Sequence, residues 1–556
     1  MSGFCIKRHP KVIDNNDNHL SIGAYTYEIN AQDCIKIPLP QGGLILLDGY
    51  FWPQDTNKFK EIILTKQFDQ LSQFEGHYSG ICITEEECLI FNDRFGGKTI
   101  FYQQNENLVT IASRICLLPV ENKALALDAV HECFIFRWTS ADKTLLSDTC
   151  KLRARSYGTV SHKGTVKQQC YWQLPPANYT NAPFKDKQTS VKHALQTHLR
   201  QASQRYKKVA IFLSGGVDSS LLAGLSKDIF DQCYLVTPVF KGQKNPELAT
   251  AKAFAKQLDM PHHLVEVNPE TLEQDLQYLI RLKREPLRHY SSLAMLAMMK
   301  AIPDEYDAVI YGEAADTLFG SNGINRINTQ YNWKQSTKHI PLWLLRLMQK
   351  IVPGRGRVLV ELKSTSLTDL VYSLTAIQYS EKSHNIIKQI DLGRNTALET
   401  KPWQQDISAK MRENVRHVAQ QYVISSDVEK HFEEAELIAE QFNKHIISPF
   451  FAPDVIDLAN TLNDSDYYGT EFVKPILREI ACEYFDRELI YQRKYGFPVP
   501  FVDWLNSSLS SLVEEVRNEK TLFDGRLLND LSVDTDYEIF WLLINWKILH
   551  QQLGAQ

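Results

Sequence analysis

What the chain lacks narrows its identity first. Its ten cysteines are scattered over 556 residues, with no Cys-x-x-Cys pair and none of the dense spacing of a secreted disulfide scaffold. Reduced thiols in a cytoplasmic protein are the expectation. Basic charge is not in excess: 61 lysines and arginines face 66 acids, a net charge of −5, so no clustered footprint for nucleic acid is expected. No apolar run approaches the roughly 20 residues that a bilayer span needs. The start, Met1 to Lys7, has no signal-peptide core. Nucleic acid and membrane are therefore not expected partners. Internal repeats and low-complexity tracts are also missing.

What is present reads as an ordinary globular chain, 44% hydrophobic and 23% charged, long enough for two or more domains. Residues 1–175 hold short β-like segments divided by turn signals: Gly43 to Leu47, Ser79 to Thr84, Glu87 to Asn92, Thr99 to Tyr102 and Leu108 to Ser113. They predict stacked antiparallel sheets. Prolines and asparagines crowd Leu174 to Pro183, which places a linker at about 176–188. The second domain, 189–556, opens with Val191, Leu195 and Leu199 at helical spacing. Strands and helices then alternate through Val209 to Leu213, Cys233 to Phe240, a Pro246 to Leu258 helix, His263 to Val267 and Ala308 to Tyr311. That rhythm predicts a parallel α/β sheet with its ligand at the strand C-termini, followed from about residue 325 by a helical extension.

Chemistry concentrates in two loops. The first, Ser214-Gly215-Gly216-Val217-Asp218-Ser219-Ser220, lies between a strand and a helix from Leu221 to Leu225. Its glycines let main-chain N–H groups converge on an anion, the helix adds its positive end, and the serines add hydroxyls. Asp218 is misplaced in such a site unless a cation bridges it to phosphate. The string resembles the PP-loop of ATP pyrophosphatases, which split ATP into AMP and pyrophosphate. The second loop, Tyr311 to Ser321, offers Glu313 and Asp316 three residues apart, expected to share one side of a turn that opens a helix. Asp218 and Asp316 are the acids that Mg²⁺ on a pyrophosphate requires. Further on come Lys474 and, beside a rigid Gly496-Phe497-Pro498 turn, Lys494. The tandem His262-His263 has no third ligand nearby and reads as structural.

These motifs, in this order, resemble the asparagine synthetase family over about 190–510, as judged by pattern. Three positions of the second loop depart from that pattern: Ala314, Thr317 and Ser321. Ser448 to Phe450 and Met260 to Glu266 echo further family segments. The N-terminal half resembles the family's glutaminase domain, an Ntn-hydrolase-like fold, through Asn92-Asp93-Arg94-Phe95-Gly96-Gly97-Lys98, Leu47 to Tyr50, and Ser156 to Gly158. Glutamine-hydrolysing members expose a cysteine at residue 2, whereas this chain has Ser2, with Cys5 further in. The glutamine-clamping segments are missing too. The half is expected to be a scaffold without glutaminase activity.

The resemblance implies ATP and Mg²⁺, a carboxylate substrate activated as an acyl-adenylate, and an amine that attacks it. Residues 214–220 would cradle pyrophosphate, and Leu213, Val239 and Gly312 would frame the adenosine. Lys494 and Lys474 would meet phosphate charge, and Glu313 would handle the amine. Members with silent glutaminase halves, namely lasso-peptide cyclases and β-lactam synthetases, close ring amides. The latter carry tyrosine where Glu313 stands, so the acid argues against that branch. A natural-product amide ligase such as a macrolactam cyclase is the preferred expectation, with ammonia-dependent asparagine synthesis and a non-catalytic nucleotide-binding protein as alternatives. Sequence leaves open a homodimer and a partner enzyme. The basic-apolar segment Trp343 to Arg357 reads as an amphipathic helix on the core.

Overall fold

In the computed structural model the described residues are 3–554, apart from 11–18, 23–24, 106–107, 120–123, 141, 162–163, 243–245, 346–369, 372, 375–413, 470, 493–498 and 519–527. The amphipathic helix expected to continue to Arg357 falls largely outside them, as does Lys494.

Alternation of side chains builds the N-terminal half. Strands β1 (Gly3–Pro10), β2 (His19–Ile22), β3 (Tyr25–Gln32), β4 (Ile35–Pro38), β5 (Leu44–Trp52), β6 (Glu75–Ile83) and β7 (Cys88–Asn92) come first. They are followed by β8 (Phe101–Asn105), β9 (Leu108–Ala112), β10 (Thr149–Lys151), β11 (Ser156–Val160) and β12 (Val166–Cys170). They form two six-stranded antiparallel sheets, ordered β10-β8-β9-β1-β3-β2 and β12-β11-β7-β6-β5-β4. Leu46, Ile81, Ile83 and Ile90 meet Phe4, Ile6 and Ile111 of the other sheet. Their neighbours Ile45, Leu47, Cys82 and Leu89 point the other way, onto Phe59, Ile62 and Ile63 of helix α1 (Thr56–Leu64). The second sheet is thus buried on both faces, which is why β5 reads as an almost unbroken apolar run. All five expected strands are present with shifted ends, as β5–β9; β1–β4 and β10–β12 are additions.

Residues 171–183 carry no regular structure and lead into α2 (Phe184–Arg205), in which Val191, Leu195 and Leu199 are fully buried. Then follow β13 (Lys208–Phe212), α3 (Val217–Ser226), β14 (Gln232–Phe240), α4 (Pro246–Leu258), β15 (His262–Val267), β16 (Ala308–Ile310) and α5 (Ala315–Phe319). Helix α6 (Glu429–Glu440) precedes β17 (His445–Ile447), and α7 (Pro475–Ala481) comes last of the elements at the site. The sheet order is β15-β14-β13-β16-β17, every pair parallel. Beyond residue 325 the described residues are mostly helical, as expected, and the fifth strand is a three-residue addition to that reading. A three-residue strand between helices leaves too little periodicity to be read.

The halves are tied by buried polar contacts. The Ile446 amide donates to the Tyr50 hydroxyl at 2.7 Å, and Lys98 Nζ reaches Glu440 at 2.7 Å and Asp48 at 3.1 Å. Arg94 donates to the Phe451 carbonyl at 2.6 Å and to Glu75 at 2.8 Å. Among the described residues no helix is long and apolar enough to cross a membrane.

Candidate active site

The chain runs from β13 to β14 and β15 on one side, then returns to place β16 on the other side of β13. That reversal leaves a crevice beyond the C-terminal ends of β13 and β16, where ligands of open α/β sheets bind. The two loops singled out in the sequence are the ones that leave these strands. In the first, Gly215 takes φ +85°, and a Cβ there would stand 2.5 Å from the Glu247 carbonyl oxygen, so only glycine fits. Helix α3 begins at Val217, earlier than expected, and Asp218 and Ser219 occupy its first turn. The Ser214 and Ser219 hydroxyls lie 3.1 Å apart, and Ser214 Oγ accepts from the Gly216 amide at 3.2 Å, so the loop is braced before any ligand arrives.

In the second loop Ala314 adopts φ +71° and turns the chain between Glu313 and Asp316. The two acids therefore do not share a face, contrary to expectation: three-residue spacing aligns side chains only within a continuous helix, and α5 starts at Ala315. Asp316 turns to Lys474, whose ammonium lies 2.6 Å from Asp316 Oδ1 and 2.5 Å from Asp218 Oδ2. The lysine side chain is 2% exposed. Its backbone is left-handed (φ +62°), and its amide donates to the Tyr467 carbonyl at 3.2 Å. Gly320 makes room: a Cβ there would be 2.7 Å from Lys474 N. One turn along α7, Arg478 donates to the Val473 carbonyl at 3.0 Å and lies over Phe472 and Tyr491, fixing the segment.

Glu313 turns instead to α6. His431 Nδ1 is 3.5 Å from Glu313 Oε1 and 3.9 Å from Asp427. Burial alone would lower the His431 pKa, but Glu313 and then Asp427 more than offset it and hold it at about 9, a cation at neutral pH. Asp427 is held low: burial opposes ionisation, and Arg288, with which it is ion-paired, and His431 outweigh that. Asp427 lies in a π-helical turn, Ile424–Val428, that directly precedes α6. Such turns re-aim side chains at functional sites. The sequence reading missed His431, Asp427 and Arg288, because nothing local in a lone sequence links them to the loop after β16.

The other predicted residues divide. Ser220 is fully buried, and its hydroxyl donates to the Val217 carbonyl at 3.0 Å within the helix, so it faces away from the crevice. Leu213 is 1% exposed; its amide donates to the Val236 carbonyl at 2.9 Å and its own carbonyl accepts from Thr237 at 2.5 Å. Those bonds engage its main chain within the fold. Val239 is half-buried near the end of β14. Gly312 stands beside Asp218, where an added Cβ would make ordinary 3.7 Å contact. His262 bonds Thr237 at 2.8 Å and His263 stacks on Tyr234, in keeping with the structural reading.

For Mg²⁺ the donor set fits. Asp218 Oδ1 is a buried carboxylate oxygen with no hydrogen-bond partner among the described residues, and Asp316 faces the same point. Asp218 and Asp316 would hold the ion, which when bound supplies neutralising charge to pyrophosphate.

In the N-terminal half, Asp93 accepts from the amides of Phe95, Lys98 and Tyr78 at 2.8, 3.0 and 3.2 Å, and so anchors the loop that carries Arg94 and Lys98 to the second half. Cys5 sits mid-strand in β1, paired on both sides, and burial pushes its thiol upward, the wrong direction for a nucleophile. Ser2 lies outside the described residues.

A family model described as asparagine synthase matches residues 190–538. A glutamine-hydrolysing asparagine synthetase of Bacillus subtilis is 21% identical over 458 residues, covering 81% of this chain and 71% of its own. An amidase of Gibberella zeae, chry2, is 24% identical over 280 residues, 45% of this chain and 40% of that protein's length. With the matched region spanning more than half of its length, the chain belongs to the asparagine synthase family, whose enzymes are ATP-dependent ligases.

Proposed function

We propose that this protein activates a substrate carboxylate with ATP and joins it to an amine supplied by the substrate or as free ammonia, not by glutamine. The carrying observation is the convergence of Asp218, Asp316 and Lys474 beyond β13 and β16, with Glu313 of the same loop turned to His431. The carboxylate attacks the α-phosphorus of ATP, pyrophosphate departs along the 214–219 loop, and the acyl-adenylate is left beside Glu313. Amide N–H groups at the start of α3 would meet the departing anion, and Asp218 and Asp316 would hold a Mg²⁺ that supplies neutralising charge. The amine then attacks the acyl carbon, its proton passes to the Glu313 carboxylate, and AMP leaves. His431 holds that carboxylate from the opposite side. Lys494 belongs to the same reading as a second cation toward phosphate.

Cys5 sits mid-strand with its thiol pushed upward, and Ser2 stands where a cysteine nucleophile is needed, so the N-terminal half serves as scaffold. The preferred product is a ring amide within a peptide or other natural-product acid, which needs no separate nitrogen donor. Asparagine made from aspartate and ammonia is the second reading, favoured by the similarity to the Bacillus subtilis synthetase. The test is AMP and pyrophosphate release with Mg·ATP and aspartate, supplying ammonia or glutamine in turn. Asparagine from ammonia alone supports the second reading. Glutamine-driven turnover refutes the scaffold role. ATP binding without turnover points to a dedicated acid. With any acid that turns over, Glu313→Gln should lower amide formation by about 100-fold or more while acid-dependent ATP–pyrophosphate exchange persists.

A further inference from the structure

The ammonium of Lys474 occupies the point between Asp218 and Asp316 at which a bridging cation would sit, 2.5 and 2.6 Å from their oxygens. Nothing about the placement is casual. The side chain is almost wholly buried, the backbone is locked left-handed beside Gly320, and Pro475 starts α7 at the next residue. Asp218 Oδ2 and Asp316 Oδ1 cannot hold an ammonium at this distance and also ligate a metal at about 2.1 Å, which leaves Asp218 Oδ1 alone of that carboxylate to a bare ion beside a resident cation. A bare divalent ion would have to displace the lysine from both aspartates and brings no anion to receive it. A pyrophosphate changes that balance, because its oxygens are a new partner for the ammonium at the same place and time as the metal arrives.

We propose that Lys474 is a resident counter-ion that makes the site selective: divalent metal enters only as the metal–nucleotide complex, and the lysine transfers from the two aspartates to phosphate oxygens as it enters. This rests on the reading that Asp218 and Asp316 hold the metal, and assigns to Lys474 the exclusion of the free ion. The exchange involves no covalent step. The ammonium keeps its three protons, and two ion pairs are traded for contacts with phosphate.

Mn²⁺ is the probe, its unbound fraction read from its EPR signal, so no turnover or acid substrate is needed. Wild-type protein should take up Mn²⁺ together with α,β-methylene-ATP and not measurably as the bare ion at micromolar concentrations. Lys474→Gln should bind bare Mn²⁺ about tenfold or more tightly than wild type. Lys474→Arg, which keeps the charge, should exclude it as wild type does. Equal uptake of bare Mn²⁺ by wild type and Lys474→Gln overturns the proposal. Should Lys474→Gln fail to fold, tight uptake of bare Mn²⁺ by wild-type protein overturns it alone. If Asp218→Asn takes up Mn²⁺ with the nucleotide analogue as well as wild type does, the metal assignment itself falls, a result distinct from the failure of the lysine's role.

Discussion

Glu313 and His431 form an ion pair whose charge state follows from its surroundings, and that makes it measurable without any substrate. His431 titrates near 9 because Glu313 and Asp427 outweigh the cost of burying its charge. An unfolded histidine titrates near 6.5. The folded value is the higher one, so the pair's contribution is fully present below about pH 6.5 and is lost as pH rises through about 9. The side chain is 28% exposed, and solvent screening reduces the contribution to about 1–2 kcal/mol. Wild-type stability should therefore fall between pH 7 and 9.5 relative to His431→Asn, a difference read from urea midpoints at each pH. A parallel dependence in the two proteins would mean that the pair is not formed. The same residue shows the limit of a lone sequence: Glu313 stands in a motif, whereas His431 is one of 16 histidines, on a helix that only tertiary structure brings to the loop.

At the scale of elements, the site depends on three short backbone devices: the turns at Gly215, Ala314 and Gly320. Gly320 has φ +152°, and a Cβ there would meet the Tyr467 carbonyl at 2.5 Å and Lys474 N at 2.7 Å, both backbone atoms that cannot swing aside. Gly320→Ala should cost about 2–4 kcal/mol and displace Lys474, weakening Mg·ATP binding more than a remote core substitution of equal cost. Titration calorimetry with a non-hydrolysable analogue, set beside melting data, separates these effects. Elements with strong local signals were legible in the sequence: the Pro246–Leu258 helix, the apolar strand β13 and both glycine-bearing loops. Less legible were β17, only three residues long, and the edge strand β12 (Val166–Cys170), polar and with no buried residue, which reads as a loop. The face on which each acid points was also hidden. It turns on the left-handed φ of Ala314, a conformation that residue type does not advertise.

At the scale of the whole molecule, the Asn-Asp-Arg segment has an architectural reading that needs no glutamine chemistry. Asp93 ties its own loop, Arg94 reaches the Phe451 carbonyl, and Lys98 joins Asp48 to Glu440 on α6, the helix that also carries His431. Arg114 closes the cluster from the end of β9 on the same two acids. Asp48 is the residue through which this seam can be probed. Its burial disfavours ionisation, yet Lys98 and Arg114 prevail and hold its carboxyl at about 2, below the usual carboxylate range. The folded value is the lower one, so the contribution is present above about pH 4 and is lost as pH falls through about 2, worth about 2 kcal/mol. Asp48→Asn should therefore be less stable than wild type at pH 7, and by more than this term alone, because Lys98 and Arg114 stay buried with one acid fewer. The gap should narrow steadily from pH 4 toward pH 2.5, as wild type loses the same charge by protonation. Urea unfolding followed at pH 7, 4 and 2.5 gives the comparison. A gap that stays constant across that range would mean that the seam is held by packing, with the ion cluster incidental to joining the halves.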